Sequence, residues 1–309
     1  MTTTSPGTVT PPAGSPADPA GEPATGAARE PKVILPSDGP GRARVGSFLV
    51  VAGPPALVGA ATIGIWYLLA YFGLSKTQRF ILPPPHEVVK VGFLDWANLK
   101  EILQGLQSSG IVALVAFALS TVIGLLFAVA MSEARWIERS FYPFAVALQT
   151  IPFLALVPLV GFWFGFNEQS RIIVATLVSL FPITTNALFG LQSGDAALHD
   201  LVRLHNRSRL VRLVRLRLPC ALPAIFTGLR ISAGLSVIAS IVTDFFIRQG
   251  QPGIGGLLQN YSANLQSERL YAALIVTCVF GLAVFWAVGL VRRLTIGRWE
   301  TSTATRSDD

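Results

Sequence analysis

Apolar positions along this chain gather into six long runs, at residues 48–72, 111–131, 142–164, 172–191, 224–246 and 271–291. Each is close to the roughly 20 residues a helix needs to cross the hydrocarbon of a bilayer. In lipid every backbone N–H and C=O must be satisfied inside the segment, so runs this long and unbroken predict helices rather than barrel strands. The expected architecture is an all-α polytopic membrane protein with six transmembrane helices.

The segments between the runs differ in kind. Residues 1–44 are rich in Pro, Ala, Thr and Gly and poor in large apolar residues. Such a segment cannot bury enough surface to offset chain entropy, which predicts a disordered tail. It lacks a charged start, and its first apolar run begins too late for a signal peptide. Residues 45–297 then form the expected membrane domain, and 298–309 a short polar tail. Between the first two runs, the sequence LPPPHEVV reads as a proline-stiffened turn. The stretch PHEVVKVGFLDWANLKEILQGLQ then reads as an amphipathic helix near the membrane interface. Trp96 there is either a headgroup anchor or a packing residue.

Composition strengthens the membrane reading. The 309 residues are 51% hydrophobic and only 13% charged, where a soluble domain carries about a quarter. The net charge of +7 comes mainly from arginine, and where those arginines fall decides their meaning. Arg29, Lys32, Arg42 and Arg44 precede the first run, Arg135 and Arg139 follow the second, and Arg292, Arg293, Arg298 and Arg306 follow the sixth. Six more, Arg203, Arg207, Arg209, Arg212, Arg215 and Arg217, lie between the fourth and fifth. The alternate loops hold Lys76, Arg79, Lys90, Lys100, Arg171, Arg248 and Arg269, spread over longer segments. Cationic short loops mark the cytoplasmic side, which predicts both termini there. This pattern argues against nucleic acid as the basic partner.

Catalytic and metal chemistry are poorly supported. Cys220 and Cys278 form no CxxC pair, and His86, His199 and His205 are scattered, so no metal is expected. No Gly-Lys pair occurs, so the chain lacks the glycine-rich loop and lysine that cradle a nucleotide's phosphates. The expectation is a non-enzyme that binds no cofactor.

The loop between the fourth and fifth runs carries the most information. Leu201, Leu204 and Ser208 share one helical face, and Leu210, Leu213 and Val214 repeat the spacing after a break near Asn206. Two short amphipathic helices fit, lying on lipid or docking into a partner's groove. Polar residues inside the runs are the other functional suspects. Ser232, Ser236, Ser240 and Asp244 recur at intervals of four. They either pack a helix closely through small residues or wall a translocation path. Asp244 is either wet or paired with Arg248 one turn on. Arg230 either snorkels to the interface or faces an inner cavity. Gln149 and Thr150 precede Pro152, while Thr184, Thr185 and Asn186 follow Pro182, where a proline bend suits a gate or ordinary packing.

Three stretches carry a family resemblance: QTIPFLALVPLVGFWFG, LVRLHNRSRLVRLVRLRLPCALPAIFTGLRISAGLSVIASIVTDFF and GQPGIGGLL. Together with the spans around them they resemble the permease subunits of type I binding-protein-dependent ABC importers, in the nitrate, sulfonate and taurine group. The resemblance implies that the loop, closing on Leu218-Pro219, is the coupling motif of that family. Its coupling helix would cover residues 200–212, with Asp200, Val202, Arg203, Leu204, Asn206, Arg207, Ser208 and Arg209 meeting a separate ATP-binding cassette subunit. ATP and Mg would act on that partner. The resemblance further implies a homodimer, an extracytoplasmic substrate-binding protein, a location in the bacterial plasma membrane among its lipids, and alternating access. It suggests a small anion such as sulfonate, taurine or nitrate as solute. Three positions depart from the family pattern. Asn206 stands where a glycine usually ends the coupling helix, Val202 replaces an alanine, and Arg207 replaces a small residue. Asn is the residue after Gly best suited to a left-handed helix end, which keeps the turn feasible.

Two rivals remain at this level. A secondary transporter would favour buried carboxylates or repeated halves, and neither is evident in the sequence. A membrane-anchored interaction protein would need no ATPase at all.

Overall fold

In this computed structural model, residues 43–75, 78–193, 208–247 and 250–304 are described. The chain divides into two units, residues 1–56 and 57–309. Of the first, the described part is residues 43–56, the beginning of helix α1. The second holds everything discussed below.

The described residues form helices joined by turns and short extended segments, with no strand among them. In chain order they form α1 (Ala43–Leu68), α2 (Pro85–Val89), α3 (Trp96–Glu133), α4 (Arg135–Thr150), α5 (Phe153–Phe164), α6 (Glu168–Gln192), α7 (Arg209–Arg212), α8 (Leu218–Phe246), α9 (Ile254–Ala263) and α10 (Ser267–Ala304). Wide π-helical turns extend α1 over Leu69–Gly73 and α2 over Lys90–Leu94, and a third, Leu213–Arg217, joins α7 to α8. Among the described residues, five segments are long and apolar enough to cross a membrane: Gly53–Gly73, Trp96–Glu133, Glu168–Gln192, Leu210–Phe246 and Ser267–Ile296. The all-α polytopic architecture is therefore as the apolar runs imply.

The third run is the exception, because it is divided between two helices. Ile151 and Pro152 take extended backbone (ψ 127° and 107°) between α4 and α5. Proline disfavours helical backbone in the residue before it and offers no N–H to continue the ladder. The sequence TIP therefore ends α4, and α5, at 12 residues, is too short to cross alone.

The amphipathic stretch before the second run also differs from expectation. Its first part, Pro85–Leu94, is α2 with its π-helical turn, and from Trp96 on it is continuous with the second run. The Asp95 side chain accepts from the Ala97 amide at 3.0 Å and starts a helix that runs unbroken for 38 residues. Nothing between Trp96 and the second run breaks it, so the polar segment and the span are one element. Trp96 is exposed.

The core is a three-helix stack. α6 packs most extensively on α8, and both pack on α3. Small residues permit the approach: a Cβ added at Gly228 would lie 2.8 Å from the Pro182 carbonyl, and one at Gly190 would lie 3.0 Å from that of Ala221. Close packing of this kind drives helix association where lipid removes the hydrophobic incentive. α9 closes one end of the stack against α3, α8 and α10.

Candidate functional site

A buried ion pair lies at that closed end. Asn167 caps α6 by accepting from the Ser170 amide at 3.2 Å, which places Arg171 in the first turn. α8 ends nearby with Asp244. The two are 3% and 1% exposed, and their side chains form a direct salt bridge. Asp244 Oδ2 also accepts from Ser109 Oγ of α3 at 2.5 Å and from the Gly255 amide of α9 at 3.1 Å. Ser109 Oγ in turn accepts from the Ile254 amide at 2.8 Å. Arg171 Nη1 donates to Ser108 Oγ at 3.3 Å.

This network joins four helices through two charges. The first amides of α9 have no partner within their own helix, and here a hydroxyl and a carboxylate satisfy two of them. The carboxylate also faces the positive end of α9's dipole. A buried pair of this kind often adds little net stability over apolar residues of similar volume, but breaking it is costly. Its main effect is to fix which residues meet.

The sequence-predicted path residues fall into separate places. Ser232, Ser236 and Ser240 are buried, donating to the carbonyls of Ser179 (2.7 Å), Ala233 (2.9 Å) and Val237 (2.9 Å). They therefore lie within the packed stack. Arg248 lies outside the described residues; Asp244 is buried rather than wet and pairs with Arg171. It is a buried carboxylate of the kind the sequence alone did not reveal. Gln149 and Thr150 are exposed beside the α4–α5 break, with Thr150 Oγ1 donating to the Ala147 carbonyl at 2.7 Å. Thr185 and Asn186 are half-buried and bond back to the carbonyls of Phe181 and Pro182 at 3.0 and 2.8 Å. Arg230 is half-buried, its guanidinium 3.8 Å from the centre of the Phe285 ring. Thr184, one residue before Thr185, lines an apolar cavity of about 390 Å³ with Phe127, Phe141, Phe144, Ile151 and Phe181. Of the polar residues expected along the path, Thr184 lines that cavity.

Of the expected coupling residues, Asp200, Val202, Arg203, Leu204, Asn206 and Arg207 lie outside the described residues. Ser208 is exposed; its hydroxyl accepts from the Val211 amide at 3.4 Å and its carbonyl from the Arg212 amide at 3.1 Å, opening α7. Arg209 is the first residue of α7. Beyond it the apolar stripe divides. Leu213 packs into the core beside Met131, Leu188 and Leu191, while Leu210 (73%) and Val214 stay exposed. Arg217 Nη1 then donates to the Ser132 carbonyl at 3.2 Å and to Glu133 Oε1 at 3.0 Å. A cation there suits the carbonyl end of α3. The pair is part-exposed, so Arg217→Ala is expected to cost no more than about 1 kcal/mol. Thermal unfolding in detergent checks this.

A family model described as the inner membrane component of binding-protein-dependent transport systems matches residues 120–296. That span runs from within α3 into α10 and includes the ion pair, the α4–α5 break and the arginine-rich loop. The chain belongs to this family.

Similar permeases serve different solutes. The formylaminopyrimidine transport permease protein ThiX of Halalkalibacterium halodurans is 30% identical over 213 residues, covering 68% of this chain and 83% of the relative. The taurine transport system permease protein TauC of Escherichia coli is 26% identical over 245 residues, or 76% and 86%. The nitrate import permease protein NrtB of Synechocystis sp. is 28% identical over 183 residues, or 59% and 66%. The protein is thus a permease subunit of an ABC importer, an inner-membrane protein whose family works with an ATPase and a binding protein.

Sequence reasoning placed one half of the permease's ion pair and overlooked the other. Arg171 was counted among loop charges because it stands one residue before an apolar run. The available signal was topological. α6 starts and α8 ends on the same side, and Arg171 and Asp244, of opposite sign, each lie within about a turn of that end. The glycines of GQPGIGGLL were noted as a motif; two of them, Gly253 and Gly255, lie where a side chain would collide with Asp244 or Ile241, while Gly250 takes a positive φ of 95°.

Proposed function

We propose that this permease acts as a homodimer that carries a small solute inward by alternating access, powered by a separate ATPase. The observation that supports it most is the family match across residues 120–296, which contains the arginine-rich loop. The loop and the exposed Leu210 and Val214 beside it would meet the ATPase on the cytoplasmic side. Both termini would lie on that side, in keeping with the arginine bias. The opposite end would receive the substrate-binding protein. ATP and Mg act on the partner, and this chain makes and breaks no covalent bond. Relatives that import taurine and nitrate favour a small anion as solute, while the formylaminopyrimidine relative extends the class to small nitrogenous solutes.

In this reading α3, α6, α8 and α9 move as one rigid block, held by the Arg171–Asp244 network. The path would run along the less buried residues near the α4–α5 break and the middle of α6, including Gln149, Thr150, Thr185 and Asn186. Cysteines placed at 149 and 185 are expected to react with aqueous thiol reagents in a turnover-dependent way. Cysteines at 236 and 240, whose positions are buried, should stay protected. Reaction at 236 and 240 with protection at 149 and 185 would reverse the assignment.

The deciding experiment is co-purification. The full chain, expressed with its ATPase, should retain it stoichiometrically. Charge reversal at Arg203, Arg207 and Arg209 together should release the ATPase and abolish uptake while leaving the permease folded. Retention of the ATPase by the reversed loop would contradict the docking assignment. Asn206→Gly should leave assembly and uptake unchanged if asparagine already makes the turn.

A further inference from the structure

The groove between α8 and α10 holds a second concentration of charge that transport chemistry leaves unexplained. It has a volume of about 700 Å³ and is lined by Arg230, Trp286, Gly289, Leu290, Arg292 and Arg293. Arg230 reaches it from α8, packing its guanidinium on Phe285 at 3.8 Å. Its other edge approaches α10 where Gly289 leaves room: an added Cβ would lie 3.8 Å from Arg230 Nη2. Arg230 Nε is buried without a hydrogen-bond partner among the described residues. No carboxylate is among the groove's lining residues.

Depth narrows the occupant. Arg230 lies 14 residues before Asp244 on one helix, which is about 21 Å along its axis. With Asp244 near one edge of a hydrocarbon layer of ~30 Å, Arg230 falls toward the opposite edge. Arg292 and Arg293 stand where the α10 span nears its end at Ile296. Beside them Trp286 (71%), Leu290 and Leu294 are exposed. An indole and two leucines next to guanidinium groups match a phospholipid, with acyl chain on the apolar side and phosphate on the cationic side.

We propose that this groove binds the headgroup of an anionic phospholipid in the leaflet at the Arg217 end of the bundle. Arg230 and Arg293 contact its phosphodiester, and Trp286, Leu290 and Leu294 contact its upper acyl chain. Arg230 then has a counter-charge at a depth where water is scarce, and α8 and α10 are bridged by lipid.

The test is phosphatidylglycerol titrated onto the detergent-purified full chain and read by native mass spectrometry. One saturable lipid per chain is expected. Arg230→Gln and Arg293→Gln should each weaken it roughly fivefold, as removing one interfacial cation does. Phosphatidylcholine should bind more weakly, and millimolar inorganic phosphate should not displace the lipid. Unchanged binding by both variants, or equal binding of phosphatidylcholine, would overturn the proposal. Displacement by inorganic phosphate would assign the groove to a soluble anion instead. Because Arg293 is exposed, its variant keeps the test valid should Arg230→Gln fail to fold.

Discussion

Asp244→Ala is expected to destabilise the permease by about 3–5 kcal/mol, the range for removing one partner of a buried pair. Arg171 would keep its charge at 3% exposure with no carboxylate to face. The Gly255 amide and the Ser109 hydroxyl would lose their acceptor as well. The thermal midpoint of purified protein should fall by roughly 10 °C, and uptake should fall with it. Asp244→Asn should cost less, because the amide oxygen can still accept from Ser109 and Gly255. The double variant Asp244→Leu, Arg171→Met removes both charges and should recover much of the loss. That non-additivity is the decisive reading, since a merely crowded position would show none. A midpoint within a degree of wild type for Asp244→Ala would show that the pair does not hold the bundle.

The transport class was legible because lipid imposes its pattern on long stretches. Runs of about 20 apolar residues and an arginine bias need no tertiary knowledge to interpret, and the family model then matched the region they framed. What stayed hidden depends on which helix faces which. Ser232, Ser236 and Ser240 recur every four residues whether they meet a pore or a neighbouring helix, and only the fold shows that all three are buried and that Ser232 donates to the Ser179 carbonyl of α6. For Asp244 local reasoning offered water or Arg248, four residues on. Arg171 lies 73 residues earlier and reaches it because α6 and α8 are packed side by side.

Breaks were misread for a related reason. Hydropathy alone carried the third run through Ile151 and Pro152, although the proline's backbone restriction was already in the sequence. In the opposite direction, the polar stretch after Asp95 was set apart from the second span because its composition changes, whereas the backbone had no reason to stop. Composition reports what surrounds a helix, and only backbone chemistry reports where it ends.

The coupling loop marks a third boundary of legibility. Its assignment rests on family resemblance for residues 200–207. The described part supplies an anchor, because Leu213 is buried and Arg217 ties the base of α8 to the end of α3.

Gly255→Ala should be nearly as damaging as loss of the ion pair, and the neighbouring Gly256→Ala nearly silent. An added Cβ at Gly255 would lie 2.0 Å from the Ile241 carbonyl and 2.8 Å from the Asp244 Cβ. The first is backbone inside α8 and cannot swing aside, so α9 must retreat from α8. That retreat stretches the Gly255–Asp244 and Ile254–Ser109 hydrogen bonds together. Overpacking costs about 1–3 kcal/mol in a tight core, and each lost hydrogen bond about 1 more, so a loss of roughly 4 kcal/mol is expected. At Gly256 the nearest atom is 3.7 Å away, an ordinary contact. Alanine also favours helix by up to about 1 kcal/mol over glycine, so Gly256→Ala should be neutral or slightly stabilising. Gly253→Ala is instructive in a different way. Its Cβ would strike the Asp244 carboxylate itself at 2.0 Å, and a side-chain end can turn away where a carbonyl cannot. Turning it away breaks the pair with Arg171, so this variant should resemble Asp244→Ala in both stability and uptake. Thermal midpoints of the three variants, measured side by side in one detergent, separate these routes. Equal midpoints for Gly255→Ala and Gly256→Ala would mean that α9 does not press against α8 as described.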